Sequence, residues 1–238
     1  MSDAITVSLS RQTGLLNELS VIANNIANAN TEGYRTEAAL FSEFVSTRAD
    51  EPSVSMGALR AHFPVLDQGA LIETGAVFDL AIDGDGWFAV NRGGEVLLTR
   101  AGRFQTDSDG QLVTPDGDPV LDDVGTPVQL PPNAIEVAVS SDGTVTADGL
   151  GVAQIGILMA EPEGLSRVSD NLWRNDGPVR FAEEARIRQG FLEGSNVSPV
   201  EEMARLIEVQ RMYEAGANLG ESEHDRILSL IEALGTRR

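Results

Sequence analysis

Two acidic, glycine-punctuated turns, Asp83-Gly84-Asp85-Gly86 and Asp107-Ser108-Asp109-Gly110, space oxygen ligands closely enough to suggest a bound calcium ion. An EF-hand loop needs oxygen ligands at positions one, three, five and twelve, with glycine at six. With Gly86 at six, position one is Ala81 and position twelve is Arg92, and neither side chain offers an oxygen. With Gly110 at six, Gln105, Asp107, Asp109 and Asp116 fall on ligand positions, but the bidentate glutamate is missing. Asp-Gly pairs between short apolar runs read instead as hairpin turns, because glycine reaches positive φ without a steric penalty. The histidines, His62 and His224, lie in zones of different character and never form the His-x-x-x-His spacing of a zinc site. His224 falls in a helical seam and reads as a hydrogen-bonded interface residue. Neither a Gly-x-Ser-x-Gly elbow nor a phosphate-binding Gly-Lys-Ser/Thr loop occurs. Without cysteine, disulfides, thiol catalysis and zinc-thiolate sites drop out together. Acidic residues are so numerous that pairing any two as general acid and base selects nothing. The expectation is a protein that is not an enzyme and carries no metal or cofactor.

The charge balance narrows the partners. Against 37 acidic residues stand 17 basic ones, a net charge of -20. A polyanion is repelled by phosphate backbones and by anionic lipid, so nucleic acid and membrane surfaces are excluded as partners. No apolar stretch approaches the ~20 residues of a spanning helix, which argues against membrane insertion. Met1 to Arg11 lacks a basic segment followed by an apolar run, so no secretory signal peptide is expected there. With 42% hydrophobic residues in a 238-residue chain, a packed core is within reach.

Three zones differ in hydrophobic period. From Leu9 to about Asn30, Leu9, Leu16, Leu19, Ala23 and Ile26 recur at steps of three and four, with Gln12 in the remaining position. Asn24, Asn25, Asn28 and Asn30 interrupt this helix with a poor helix former. They read either as a fraying helix end or as a polar interface whose amides fix register. Gly33 is positioned as a left-handed cap. The middle zone is dense in Gly, Pro and Asp. Val77 to Ile82, Trp87 to Val90, Glu95 to Thr99, Ile135 to Val139 and Thr144 to Thr146 predict short strands between tight turns. The last zone returns to helix at Ser198-Pro199-Val200-Glu201, with Ser198 as N-cap, Pro199 in the first turn and Glu201 closing a capping box. A seam then runs through Leu206, Gln210, Tyr213, Ala217, Gly220, His224, Ile227, Ile231 and Leu234, weakened at Gln210, Gly220 and His224. Both seams can be buried against each other or against helices of other copies.

Val21 to Arg35, VIANNIANANTEGYR, closely resembles the N-terminal signature of the flagellar rod and hook protein family. Gly190 to Ala215, GFLEGSNVSPVEEMARLIEVQRMYEA, resembles its C-terminal signature, and Asp79 to Val90 with Leu98 to Leu121 are similar to its central β domain. Within the family, the short length, the opening from Ile5 to Asn30 and the stretch Glu221 to Gly235 are most similar to proximal-rod members, with distal-rod and hook members as alternatives. The resemblance implies an α+β fold in which N- and C-terminal helices pair as a coiled-coil-like domain flanking an irregular all-β central domain. The divisions are 1–34, 35–190 and 191–238. It implies a structural subunit of the basal-body rod in the periplasm, exported unfolded by the flagellar export apparatus without a cleaved signal. Its partners would be copies of itself and other rod proteins, stacked around a hollow shaft that transmits torque. The seam residues would then be buried between terminal helices, the asparagines would supply polar contacts, and Gly190, Gly194, Ser195, Asn196 and Pro199 would shape the return from β domain to helix. A reading from another class is a secreted β-domain binding protein with helical oligomerisation ends. It needs a cluster of exposed aromatics, which two Trp and two Tyr make hard to build.

Overall fold

The computed structural model describes residues 2–46, 54–169, 171–182 and 184–235. It is a mixed α+β structure with a β-rich centre, opening with helix α1 (Ser2–Ala27) and closing with helix α2 (Pro199–Gly235). α1 stops three residues before the predicted end. There the Asn28 carbonyl accepts the Thr31 amide at 3.1 Å and Asn28 Oδ1 accepts the Thr31 hydroxyl at 2.9 Å. This side-chain turn competes with the next helical bond and wins. At the start of α2 the Ser198 carbonyl accepts the Glu202 amide at 3.0 Å, so Ser198 occupies the N-cap and Pro199 the first helical position. Glu201 and Glu202 lie against the positive end of the helix dipole. α2 then runs without interruption through Gly216, Gly220 and His224 for 37 residues.

The chain divides into two compact units. The first contains both long helices and the ribbon of β1 (Glu37–Ser46) with β2 (Val54–Pro64). Within it, Leu15 and Ile22 of α1 and Val209 of α2 form a buried cluster, flanked by Leu19, Ile26, Leu206 and Tyr213. Arg205 on α2 donates to Glu18 Oε1 on α1 at 2.8 Å and 3.1 Å.

The second unit comprises Ala27–Glu37 and Phe63–Val197. Its strands are β3 (Leu71–Glu73), β4 (Leu80–Asp83), β5 (Trp87–Arg92), β6 (Glu95–Thr99), β7 (Gln105–Thr106), β8 (Leu112–Val113), β9 (Val137–Val139), β10 (Thr144–Ala147), β11 (Leu150–Gln154), β12 (Ile157–Ala160), β13 (Leu165–Ser169), β14 (Leu172–Asn175), β15 (Val179–Phe181), β16 (Arg186–Gln189) and β17 (Phe191–Glu193). An antiparallel six-stranded sheet runs β13-β14-β6-β5-β12-β15. A three-stranded sheet β11-β10-β9 and the pairs β16-β4, β17-β3 and β7-β8 complete the unit. Phe88, Val90 and Leu97 point into the main core with Leu80, Ile82, Val120 and Ile155. On the opposite face, Trp87 and Leu98 pack with Leu165 and Trp173. Burial on both faces explains why Trp87 to Val90 is continuously apolar and not alternating.

Some predicted strands shift for local reasons. Residues 77–79 are drawn into a turn in which the Asp79 amide donates to the Ala76 carbonyl at 3.3 Å, leaving β4 to begin at Leu80. The amides of Ile135 and Glu136 donate to Asp148 Oδ1 at 3.1 Å and 3.0 Å, so β9 begins only at Val137.

Candidate assembly site

The apolar residues of α1 form two three-four rows that share Leu19 and Ile26. One continues through Leu15 and Ile22, the other through Leu9, Leu16 and Ala23. The first row is the one buried within the chain, whereas Leu9 and Leu16 stay 62% and 49% exposed and Ala23 is exposed too. α2 behaves alike. Leu206 and Tyr213 lie in the cluster, but Val209 takes the place expected of Gln210, and both Gln210 and Ala217 are exposed. The contact inside the chain therefore shares Leu19, Ile26, Leu206 and Tyr213 with the predicted seam, but takes Ile22 and Val209 where Ala23 and Gln210 were expected. Burying Ile22 and Val209 removes more apolar area from water than burying Ala23 and Gln210. A second row on α2, Val200, Met203 and Ile207, is also exposed. Ile227 and Ile231 lie on α2 and His62 on β2, but their side chains and that of His224 fall outside the described ones. Of the asparagines, Asn25 is buried, Asn28 half-buried, and Asn24 and Asn30 exposed.

The segment after α1 belongs to the β-rich unit and is held there by charge. Tyr34, Arg35 and Glu193 are fully buried and Arg100 nearly so. Glu193 Oε1 pairs closely with Arg35, without hydrogen-bond alignment, and also accepts the Gly69 amide at 2.9 Å. Glu193 Oε2 accepts Arg100 NH1 at 3.0 Å, and Arg100 NH2 donates to the Gly84 carbonyl at 2.7 Å. Burial pushes the Arg100 guanidinium down to about 10, against the pull of Glu193 and with the repulsion of Arg35. Arg167 lies 4.5 Å from the Tyr34 ring centre and 4.3 Å from that of Trp173. It also donates to the Arg35 carbonyl at 2.6 Å and to Glu37 Oε1 at 2.7 Å.

The predicted turn residues meet this segment. Gly33 has φ +66, but it lies six residues beyond α1 and does not cap it. Its conformation serves a close approach, since a Cβ there would sit 2.2 Å from the Ala101 nitrogen. Its amide donates to the Glu193 carbonyl at 2.8 Å. Asn196 Oδ1 accepts the Thr36 amide at 2.7 Å and hydroxyl at 2.8 Å, while Asn196 Nδ2 donates to the carbonyls of Val65 and Asp67. The Gly190 amide donates to Asp79, that of Gly194 to Ala70, and Ser195 Oγ accepts the Val197 amide. The chain leaving α1 and the chain approaching α2 are thus stapled side by side. Sequence periodicity had not singled out Tyr34, Arg35, Arg100, Arg167 or Glu193. One signal was available: all 17 basic residues are arginine, the side chain suited to planar, bidentate ion pairs.

The acidic turns at Asp107 and Asp122 are occupied by their own backbone. Asp107 Oδ1 accepts the amides of Asp109 and Gln111, and Asp122 accepts those of Val124 and Thr126. Among the described residues no group of His, Asp and Glu converges to hold a metal, and no helix is long and apolar enough to cross a membrane.

Two helical ends, a β-rich centre and a stapled junction define a class, and comparison with known proteins identifies it. Residues 5–35 match the family model "Flagella basal body rod protein", residues 81–147 "Flagellar hook protein FlgE/F/G D1 domain", and residues 188–232 "Flagellar basal body rod FlgEFG protein C-terminal". The chain belongs to the flagellar basal-body rod protein family. It is 39% identical to flagellar basal-body rod protein FlgF of Caulobacter vibrioides, over 99% of both chains. It is 37% identical to that of Mesorhizobium japonicum, over 100% of both. Flagellar basal-body rod protein FlgG of Bacillus subtilis is 31% identical, over 90% of this chain and 92% of its own.

Proposed function

We propose that this chain is a structural subunit of the bacterial flagellar basal-body rod, of the proximal FlgF type, and that it assembles through its terminal helices. Full-length similarity to FlgF proteins carries the reading. The terminal helices pair in a coiled-coil-like manner through Leu15, Leu19, Ile22, Leu206 and Val209, and stack on neighbouring subunits through their second apolar rows. Exposed rows at three-four spacing on both α1 and α2 support that division of labour. Subunits of its own kind and of related rod proteins form a shaft that transmits torque, with the β-rich unit, Ala27–Glu37 and Phe63–Val197, as a domain separate from the unit that holds the terminal helices. The chain reaches the rod through the flagellar export apparatus without losing an N-terminal signal, and it performs no catalysis. Tagging the chain in its own bacterium and purifying detergent-resistant basal bodies tests this. Co-purification with the rod, and loss of swimming on deletion, is the expected result. Absence of the tagged chain from basal bodies, together with a deletion strain that still swims, would sink it.

A further inference from the structure

The chain passes between the two compact units four times, after Ile26, Glu37, His62 and Val197. Three of these passages are gathered by one side chain. Asn196 stands just before the last of them, and its Oδ1 accepts the amide and hydroxyl of Thr36, just before the second. Its Nδ2 donates to the carbonyls of Val65 at 3.0 Å and Asp67 at 2.9 Å, just after the third. An asparagine amide offers two donors and two acceptor lone pairs, and here all four are used. Thr36 and Val65 lie 160 and 131 residues from Asn196 in sequence, so these bonds join distant stretches and do not shape a local turn. The Val65 amide adds a cross-tie that Asn196 does not itself make, donating to the Thr36 carbonyl at 2.8 Å. Thr36, Val65, Asp67 and Asn196 all belong to the β-rich unit.

We propose that Asn196 is the clamp of a joint: it makes three chain passages act as one attachment, so that torque crossing the subunit is shared among them. The inference rests on the reading above of a rod subunit that transmits torque. Strands of chain tied at one point take a load together, whereas strands held separately open one at a time. The chemistry of the clamp is specific to an amide. Aspartate at this position keeps an acceptor for Thr36 but turns its second oxygen towards the Val65 and Asp67 carbonyls, which offer it no proton.

Asn196→Ala and the isosteric Asn196→Asp test this against Asn175→Ala. Asn175 is half-buried like Asn196 and its amide also binds backbone, but only that of Gly177 in its own turn. In the free, full-length chain, hydrogen exchange of the Val65 amide should quicken at least about tenfold in both Asn196 variants and keep the wild-type rate in Asn175→Ala. Expressed in the deletion strain, all three should enter basal bodies and turn tethered cells normally in buffer. As the viscosity of the medium is raised, the Asn196 variants should stop at loads that wild type and Asn175→Ala still turn. Thr36→Val removes one of the four bonds with little change of shape, and it carries the comparison if the Asn196 variants do not enter basal bodies. Unchanged Val65 exchange overturns the clamp, and so does a wild-type exchange rate in Asn196→Asp, which would leave only space filling. Faster exchange with rotation under load equal to that of Asn175→Ala overturns its part in torque. Exclusion of Thr36→Val along with the Asn196 variants assigns these bonds to folding and overturns it as well. Failure of the wild-type chain to enter basal bodies would instead overturn the rod reading, a result the exchange measurement does not depend on.

Discussion

Arg35, Glu193 and Arg100 put three charges into the interior of the β-rich unit, with one carboxylate serving two guanidinium groups. The cost of desolvating them is met only while all three are present. Glu193→Gln is therefore expected to lower stability by about 3–5 kcal/mol, read from the midpoint of urea unfolding, because it strands two buried cations. Glu95→Gln, which breaks the exposed pair with Arg174, should barely move the midpoint. A result in which both behave alike would remove the cluster from the account of what holds the junction together. Acidic turns act at the same scale with a different signature. Burial tends to raise the Asp122 carboxyl, but hydrogen bonds from the Thr126 hydroxyl and from the Thr126, Val124 and Gly125 amides outweigh it and hold it below the usual carboxylate range. A carboxylate held low in the folded chain adds stability above its unfolded pKa of ~3.9 and loses that contribution as pH falls through its folded value. Asp122→Ala should cost at most about 1 kcal/mol at neutral pH. The gap to wild type should narrow as pH falls below the unfolded pKa of ~3.9, checked by urea unfolding across that range.

Among the elements, the junction between α1 and the β-rich unit is set by backbone approach. Gly33 combines φ +66 with a would-be Cβ lying 2.2 Å from Ala101 N and 2.4 Å from Arg100 C. Neither backbone atom can step aside, so Gly33→Ala should destabilise by about 2–4 kcal/mol, from strain and overpacking together. Gly93 in the β5–β6 turn also has positive φ but open space around it, and Gly93→Ala should cost only about 1 kcal/mol. Comparing the two thermal midpoints separates close packing from backbone strain. Those glycines also mark what sequence can and cannot disclose. The β5–β6 hairpin could be read directly, since Asn91-Arg92-Gly93-Gly94 between apolar runs fixes turn and register within six residues. Ser198-Pro199 likewise marked the start of α2, because caps are local. Gly33 was expected to cap a helix, for its real constraint comes from the segment just after β6, some seventy residues away. β12 to β17 carry mixed exposure and, the β13–β14 hairpin apart, partners distant in sequence, so alternation alone did not reveal them. The Arg35–Glu193 pair spans the same kind of distance. On α1, periodicity found an apolar face but not which of its two rows the chain itself would cover, since both share Leu19 and Ile26.

For the molecule as a whole, the proposed division of labour has those two rows separate folding from assembly, and substitutions can address each alone. Ile22 is buried against Val209, so Ile22→Asp places a charge in the contact between α1 and α2. It should reduce the helicity of the isolated chain as well as its entry into the rod. Leu16 lies on the other row and is half exposed in the single chain. Leu16→Asp should then leave stability within about 0.5 kcal/mol of wild type, since Leu16 lies outside the buried cluster between α1 and α2. In the assembled shaft the same carboxylate would lie unpaired between packed helices, where burying it is far more costly. The expected outcome is a chain with wild-type circular dichroism and urea midpoint that fails to enter basal bodies and does not support swimming. Swimming at the wild-type rate would show that the exposed row faces solvent in the rod, and the assembly surface would have to be sought on Val200, Met203 and Ile207 alone. Loss of helicity in the free chain would show instead that α1 uses both rows internally, and the separation of folding from assembly would fall with it.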